Sequence, residues 1–367
     1  MSKPSPWRNP SAPPTPAKPN TAARAAKLES AEPIFIATRG SALALAQANQ
    51  VLAQCRAAFP RLKFEIKIIK TTGDKLQTAS LSNPAPDLPK GLFTKELETA
   101  LLEKQAHLAV HSLKDLPTEL PPGLTLGAVG KREDVRDVLL YRDAAFLREL
   151  ARANPATDWQ PGQRIKRGFA PNTTLTTLPA GAIVATSSTR RRAHVLLLAP
   201  QLTTVEIRGN VPTRVQKLAD TDAFDATILA AAGLARLQFR IKPDGHLIGA
   251  GLPPGILATM IETADMIPCV GQGAIGLEIR ADDSLAAEIC AALDHFNTHQ
   301  CVLAERAFLR AMGGGCASPV AAHARIAGHL IHVRAISFTH AEPRRAEGSR
   351  PVREAAVLGE DLARQLR

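Results

Sequence analysis

Four neighbouring side chains, His111, Ser112, Lys114 and Asp115, can donate, accept or carry charge within one short turn. They follow an apolar run at 108–110, which is typical of a short buried strand. In open α/β sheets, ligands bind where such strands end. The turn presents a carboxylate beside an ammonium, an imidazole and a hydroxyl, which are groups that exchange protons or hold charge at a ligand. A plain polar loop with a local Lys114–Asp115 pair is the alternative, because loops are commonly polar.

Basic residues follow several other predicted strands. Arg39 and Ser41 come directly after the apolar segment 34–38 and before a predicted helix at 42–58. The first N–H groups of a helix are unpaired and its dipole favours negative charge, so such a junction binds anions. Strand ends further along the chain carry Thr186, Ser187, Ser188, Arg190, Arg191, Arg208, Arg214 and Arg236. One such arginine alone is compatible with a solvated surface position, but the repeated placement predicts an anion-binding site.

The composition indicates a globular protein long enough for two or three domains. Of the 367 residues, 45% are apolar, and no run approaches the roughly 18 to 20 apolar residues of a membrane span. Residues 1–30 lack the apolar core of a secretory signal, and their Pro/Ala-rich composition predicts a disordered extension. We therefore expect a cytoplasmic protein, with organellar import through the basic residues 1–30 as the less favoured alternative.

The net charge of +11 fits nucleic acid as well as a polyanionic small molecule. A single Tyr and two Trp leave few aromatic platforms for stacking bases, which counts against nucleic acid. A nucleic-acid binder would also show steep salt-dependent binding to duplex or single strands.

The five cysteines show no metal-binding pattern. They form no C-x-x-C pair, and their odd number suits a reducing compartment, so we predict no metal site. Cys316 differs from the others because it follows three glycines, which is typical of a flexible, exposed turn. The alternative is that it is a small buried hydrophobe, as free cysteines usually are.

The order of predicted elements indicates an α/β protein with a parallel-rich sheet, because strands and helices alternate. The predicted strands of the first block are 34–38, 64–68 and 108–110, and its helices are 42–58 and 94–105. A second block begins at 138, with later strands at 183–185, 205–207 and 225–230. A single long helical run at 284–311, a strand at 331–338 and a helix from about 352 predict a small α+β domain.

Three segments depart from this pattern. Residues 76–89 predict a mobile loop, and residues 148–177 predict an irregular surface insertion. Residues 271–276 match the dinucleotide-binding pattern G-x-G-x-x-G, but 275–279 alternates like a strand where that motif requires a helix. We therefore expect the glycines to allow a close backbone approach rather than to bind a nucleotide.

Several separate motifs, in the right order, resemble the hydroxymethylbilane synthase (porphobilinogen deaminase) family over about residues 34–340. They lie at 37–41, 90–98, 111–115, 127–137, 186–191, 208–211, 270–274 and 314–316. The resemblance implies two α/β domains like those of type II periplasmic binding proteins, with the active site in the cleft between them, and a small C-terminal α+β domain. The implied domains are 31–133 with 267–286, 134–266, and 287–367.

The resemblance also implies the reaction. A dipyrromethane cofactor is tied to Cys316 by a thioether, and four porphobilinogen molecules are added head to tail with loss of ammonia. Hydrolysis then releases the linear tetrapyrrole hydroxymethylbilane. Asp115 matches the catalytic aspartate of the family. The implied partner is porphobilinogen, a small molecule, acting on a monomer without nucleic acid or membrane.

The resemblance implies a set of side chains that hold the acetate and propionate groups of the pyrrole rings. Guanidinium forks suit these carboxylates better than ammonium groups do. The residues that match such positions, or can add donors to them, are Arg39, Ser41, Lys90, His111, Ser112, Lys114, Arg132, Thr186, Ser187, Ser188, Arg190, Arg191, Arg208, Arg214, Arg236 and Gln272.

The sequence departs from the family pattern at two places near these residues. Asp87, Leu88 and Pro89 precede Lys90 where glycines are usual, and Cys269 stands where alanine is usual. The competing hypothesis is a non-catalytic anion-binding receptor of the same fold, which would need neither Asp115 nor Cys316.

Overall fold

The computed structural model describes residues 32–72, 94–153, 165–315 and 318–367. Its first eight strands are β1 (Ile34–Arg39), β2 (Phe64–Ile69), β3 (Leu108–Ser112), β4 (Leu124–Val129), β5 (Asp137–Arg142), β6 (Ile183–Ala185), β7 (Thr203–Val205) and β8 (Ala226–Ala230). They continue with β9 (Arg240–Ile241), β10 (Leu247–Ile248), β11 (Ile256–Ile261), β12 (Ile275–Arg280), β13 (Val320–Ala327), β14 (Leu330–Ser337) and β15 (Arg344–Pro351). The helices are α1 (Ala42–Ala58), α2 (Lys95–Leu102), α3 (Ala144–Ala153), α4 (Thr189–Leu198), α5 (Val211–Asp220), α6 (Ala231–Arg236), α7 (Ser284–Leu293), α8 (Phe296–Ala311) and α9 (Ala355–Leu366).

The first domain is built on a five-stranded sheet in the order β2-β1-β3-β12-β4. Strand β1 runs parallel to β2 and β3, because helical crossovers connect them. Strand β12 lies antiparallel between β3 and β4. Since β12 comes from far along the chain, the chain leaves this domain after β4 and returns to it.

The second domain repeats the same spatial arrangement of strands in the order β7-β6-β8-β5-β11. Strand β6 is parallel to β7 and β8, and β5 lies antiparallel between β8 and β11. An antiparallel strand inserted next to the third parallel one is the topology of type II periplasmic-binding-like domains. The predicted fold class is confirmed in both sheets.

The third domain packs two helices on one face of an antiparallel sheet, β13-β14-β15. Phe308 of α8 and Leu362 of α9 are buried against Val333 of that sheet. These contacts form a separate apolar core, which confirms the predicted small α+β domain. None of the helices in the described part of the chain is long and apolar enough to cross a membrane.

The prediction of one helix over 284–311 was wrong, because the chain breaks at Asp294 and His295. The Asp294 carboxylate accepts a hydrogen bond from the backbone N–H of Val129, and the His295 ring accepts one from the N–H of Thr298 at the start of α8. Helix α7 buries Ile289 and Cys290 in the first-domain core. We therefore place the boundary of the third domain after α7 rather than at residue 286.

The predicted insertion at 148–177 is only partly irregular. Helix α3 covers its first residues, and Leu175 is buried in the core of the second domain. Residues 154–164 lie outside the described residues, as do the predicted extension at 1–30, the whole of the predicted loop at 76–89 and the site residues Lys90 and Cys316.

His194 on α4 is buried where the second domain meets the third. Its Nδ1–H donates to the carbonyl of Arg190 at 2.9 Å, and its Nε2 accepts from the N–H of Ile267 at 3.2 Å. The ring also packs edge-on against Phe338. These contacts require a neutral imidazole, and burial lowers the pKa of His194 from 6.5 to about 4.

We expect His194 to weaken the fold as the solution is acidified. Between about pH 6.5 and pH 4 the unfolded chain binds a proton on this ring and the native state does not, so stability falls as pH falls. The contribution lost between pH 7 and pH 5 is about 2 kcal/mol. Urea unfolding of wild type and His194→Gln at both pH values checks this. Equal pH dependence in the two proteins would contradict it.

Candidate functional site

A cleft runs between the first and second domains and encloses about 1080 Å³ outside protein atoms, including its open mouth. The cleft is lined by side chains that lie at the ends of strands from both sheets. Among the described residues, its charged lining consists of Arg39, Lys114, Asp115, Arg191, Arg214 and Arg236. Five cations therefore surround one carboxylate. The prediction that basic residues gather at strand ends to form an anion site is consistent with this arrangement.

Asp115 reaches the cleft because strand β3 ends just before it. His111 and Ser112 are the last residues of β3, and a tight 3-10 turn follows at Leu113–Asp115. The predicted polar turn is thus half strand and half turn. Asp115 is solvent-exposed, whereas the hydroxyl of Ser112 is held by the amide of Gln47 at 2.8 Å.

His111 has a buried partner that the sequence did not reveal. Its Nε2 lies 2.9 Å from a carboxylate oxygen of Glu278, which is fully buried on β12. The pKa of Glu98, which lies nearby, is raised mainly by burial. The negative charge of Glu278 raises it further. His111 of this pair lies on β3, four residues before Asp115 in the chain.

The first-domain side of the cleft also holds Arg39 and Ser41. Ser41 is the N-cap of α1, where its hydroxyl accepts the N–H of Ala44 at 3.3 Å. A recess of about 440 Å³ beside the main cleft brings Arg39, Ser41 and Asp115 together. The predicted strand-to-helix junction at 39–41 is therefore part of the same site as Asp115.

The second-domain side contributes cations that protein carboxylates do not fully neutralise. Burial, and then the charge of Arg191, lowers the pKa of Arg214 to about 10. Its Nε–H donates to the carbonyl of Gly209 at 2.7 Å. Burial likewise lowers the pKa of Arg236, whose Nε has no hydrogen-bond partner among the described residues. An anionic ligand would stabilise both guanidinium groups.

Lys114 also lines the cleft, and its ammonium group is affected by burial and by neighbouring charges as the two arginines are. Burial lowers its pKa, although the neighbouring charge of Asp115 acts in the opposite direction. The ammonium also feels Arg191 across the cleft. Burial, and to a smaller extent the charge of Arg191, thus disfavours the charged form of Lys114, so a ligand that brings several carboxylates would stabilise it.

Asp137 orients two of the predicted arginines and was not itself predicted. It is fully buried at the start of β5, and it lies 2.8 Å from Arg190 and 2.7 Å from Arg191. Burial alone would raise the pKa of Asp137, but the two guanidinium groups lower it well below its usual range. Arg191 lines the cleft, whereas the Nη1 of Arg190 donates to the buried carbonyl of Ile267.

Replacing Asp137 with asparagine should cost about 3 to 5 kcal/mol of unfolding free energy, because two buried guanidinium groups lose their shared carboxylate. Asp134→Asn is the matched control. Its carboxylate pairs with Arg136 near the surface and should contribute at most about 1 kcal/mol. Urea unfolding at neutral pH measures both. Similar costs for the two variants would contradict the role given to Asp137.

Arg132 and Gln272 lie behind the cleft rather than in its lining. Arg132 makes a two-pronged ion pair with the fully buried Glu305 of α8, at 2.7 and 2.9 Å. Glu305 also accepts the N–H of Gly271 and the N–H of Ala324. Gln272 donates to the carbonyl of Val135 at 2.6 Å. Both predicted residues therefore support the turn at 271–274, and Glu305 joins that turn to the third domain.

The glycines of this turn have the close backbone contact that the sequence predicted. Gly271 and Gly273 have φ angles of +70° and +83°. A Cβ at Gly273 would lie 2.6 Å from the carbonyl oxygen of Glu133. The carbonyl of Gly273 accepts a hydrogen bond from Arg236 at 2.7 Å. Residues 275–280 form strand β12, so the helix required by the dinucleotide motif is absent from this described segment.

The hydroxyl-bearing segment before α4 serves local structure. Ser188 caps α4 by accepting the N–H of Arg191, and Ser187 donates to the carbonyl of Ile207 at 2.6 Å. Thr186 is buried and accepts the N–H of Ser188. Arg208 is exposed and lies 3.7 Å from Glu206. None of these four is among the described residues that line the cleft, and their binding roles stay predictions.

Comparison with known proteins identifies relatives over almost the whole described chain. Residues 34–288 match the family model "Porphobilinogen deaminase, dipyromethane cofactor binding domain", and residues 299–367 match "Porphobilinogen deaminase, C-terminal domain". Porphobilinogen deaminase of Thermus thermophilus is 41% identical over 341 residues, covering 91% of this chain and 95% of that protein. The enzyme of Desulforudis audaxviator is 41% identical over 335 residues, covering 91% and 94%. A solved OxyR regulatory domain from Pseudomonas aeruginosa matches with a TM-score of only 0.33 and 11% identity over 71% of this chain and 94% of that one.

Proposed function

The chain belongs to the porphobilinogen deaminase family, and from this premise we propose that Asp115 is its catalytic residue and that Cys316 carries its dipyrromethane. The activity is that of hydroxymethylbilane synthase, a transferase of tetrapyrrole biosynthesis. Four porphobilinogen molecules are joined head to tail with release of ammonia, and hydrolysis frees hydroxymethylbilane. When bound, the dipyrromethane supplies the pyrrole carbon to which the first substrate is joined.

The cleft fits such a cofactor and its growing chain. Each pyrrole ring carries an acetate and a propionate, and burying a carboxylate unpaired costs several kcal/mol. The five cations of the lining meet this need, and the lowered pKa values of Arg214, Arg236 and Lys114 indicate that they gain from an anionic partner. Arg39 on one wall and Arg191 on the other hold carboxylates from opposite sides.

Asp115 supplies the opposite charge. Loss of ammonia from porphobilinogen leaves a cation, and a carboxylate about 4 Å away stabilises it by roughly 4 kcal/mol at an effective dielectric of 20. When protonated, the same carboxyl group can deliver its proton to the leaving amine, and the carboxylate that results can accept one from the attacking ring carbon. The observation that carries this assignment is that Asp115 is the one carboxylate among the described residues lining a cationic cleft.

Two measurements on the purified protein test the proposal. Its intact mass should exceed the sequence mass by one dipyrromethane. Incubation with porphobilinogen should release four ammonia molecules for each hydroxymethylbilane. An unmodified mass together with no release of ammonia would reject the proposal. The non-catalytic receptor of the same fold would bind porphobilinogen without consuming it, so the ammonia assay separates the two functions.

The binding role of the cleft cations predicts a further result. Arg214→Ala should raise the KM for porphobilinogen at least tenfold, because a charge-assisted hydrogen bond to a carboxylate contributes roughly 1.5 to 3 kcal/mol. Arg192→Ala, which removes an equal charge from an exposed position two residues beyond Arg190, should change KM less than twofold. Steady-state kinetics measure both. Equal KM values for the two variants would remove Arg214 from the site.

Membership of this family supports porphobilinogen as the substrate of the protein. We propose that the protein acts as a cytoplasmic monomer. We also propose that it does not bind nucleic acid, since five cations line a cleft that suits a small polyanion. Gel filtration tests whether the protein is a monomer, and a measurement of salt-dependent DNA binding tests whether it binds nucleic acid.

A further inference from the structure

A second pocket lies on the third domain, apart from the active cleft. It occupies the face of the β13-β14-β15 sheet that is turned away from α8 and α9, and it encloses about 740 Å³ including its open side. None of its lining residues lines the active cleft.

The side chains of this pocket come from two cross-strand rows. His323, Arg334 and Glu347 stand opposite one another on the three strands, and Arg325, His332 and Ser349 form the next row. Because side chains alternate along a strand, all six point to the same face. The apolar residues between them, such as Ala324 and Val333, point to the opposite face and join the buried core.

The charge of the pocket is predominantly positive. Arg325 and Arg334 are always charged, and Glu347 is the one carboxylate among the lining residues. Neither the guanidinium of Arg325 nor the carboxylate of Glu347 is within ion-pair distance of an opposite charge in the described part of the chain. Two imidazoles beside two guanidinium groups provide several hydrogen-bond donors that converge on one space.

The environment of His323 shows the same excess of positive charge. Burial lowers its pKa, and Arg132, Arg334 and Arg325 lower it further, while Glu305 acts in the opposite direction. An anion in the pocket would relieve this repulsion.

Arg334 connects the pocket to the second domain. Its guanidinium donates to the hydroxyl of Thr263 at 3.1 Å, just beyond the end of β11. A ligand held by Arg334 would therefore sit at the junction of the second and third domains.

We propose that this face of the third domain binds a multivalent oxyanion, a phosphate or a polycarboxylate, through Arg325, Arg334 and the two histidines. The guanidinium forks match the paired oxygens of either group, and the histidines add donors when protonated. The site is independent of the reaction in the active cleft, and it needs no porphobilinogen.

Titration of the holoenzyme with inorganic phosphate, and separately with citrate, tests the site at constant ionic strength. Calorimetry should show saturable binding of at least one of them, and the NMR signals of the His323 and His332 rings should shift with it. Arg325→Ala should weaken this binding at least tenfold, since a charge-assisted contact is lost. Arg353→Ala is the matched control, because it removes the same charge from an 86% exposed position in the same domain.

Each result of this titration either supports the oxyanion site or overturns the proposal. Binding of phosphate alone or of citrate alone supports the site and names the class of its ligand. Failure of both to bind, histidine signals that do not move, or equal affinities in Arg325→Ala and Arg353→Ala would overturn the proposal. Because no substrate is consumed in this experiment, its failure would leave the synthase activity untouched.

Discussion

Asp115→Asn is expected to lower turnover of porphobilinogen by about a thousandfold while leaving the fold intact. The estimate follows from the loss of roughly 4 kcal/mol of charge stabilisation at the cation that forms when ammonia leaves. Asparagine has nearly the same shape but carries no negative charge and cannot exchange the proton. Because Asp115 is exposed in the cleft, its removal should not destabilise the protein.

Two measurements distinguish a catalytic role from a structural one. The intact mass of Asp115→Asn should still show a covalent adduct, either the dipyrromethane or a stalled intermediate, whereas the rate of ammonia release should collapse. Asp282→Asn, at an 82% exposed surface position, is the control and should keep the wild-type rate. Near-normal turnover in Asp115→Asn would refute the assigned role.

Cys316→Ser is expected to abolish the covalent adduct and with it all measurable turnover. A serine hydroxyl is a far weaker nucleophile than a thiolate, so it should not capture the primer. The remaining cysteines are poor substitutes. Burial raises the pKa of Cys55 to about 11 and that of both Cys290 and Cys301 to about 12.

Cys269 provides the control for this experiment, because its charge environment includes Arg190, Lys114 and Asp115. Burial raises the pKa of its thiol in spite of the two neighbouring cations. Cys269→Ser should therefore purify with the full adduct and retain turnover. A wild-type mass excess that survives in Cys316→Ser and disappears in Cys269→Ser would reverse the assignment.

The sequence predicted most of the elements that carry the site, because local patterns specify them. The helix over 42–58 and the strand at 183–185 have the predicted bounds, since apolar periodicity and flanking polar residues mark their ends. The alternation of strands and helices indicated the α/β class. The break at Asp294 was missed because it depends on a hydrogen bond to Val129, which lies 165 residues away in the chain.

The candidate site shows the same division between local pattern and long-range contact. Residue types and their positions after strands predicted an anion site that includes Arg39, Arg191, Arg214 and Arg236, and the family resemblance implied that Asp115 belongs to the same cleft. In the structure these five residues line one cleft. The sequence could not show that Arg190 and Arg191 share Asp137, or that Arg132 is paired with Glu305. Those partners lie 54 and 173 residues away from Arg191 and Arg132, and no local spacing connects them.

By itself, then, the sequence determined the class of fold and the family, because these depend on residue types in short segments, and it predicted a polyanionic ligand. Only the tertiary structure decided which cations face the cleft and which are neutralised behind it. The physical reason is that the effect of an arginine depends on the nearest carboxylate in space. That carboxylate is supplied by a strand or helix from a distant part of the chain, and packing alone brings the two together.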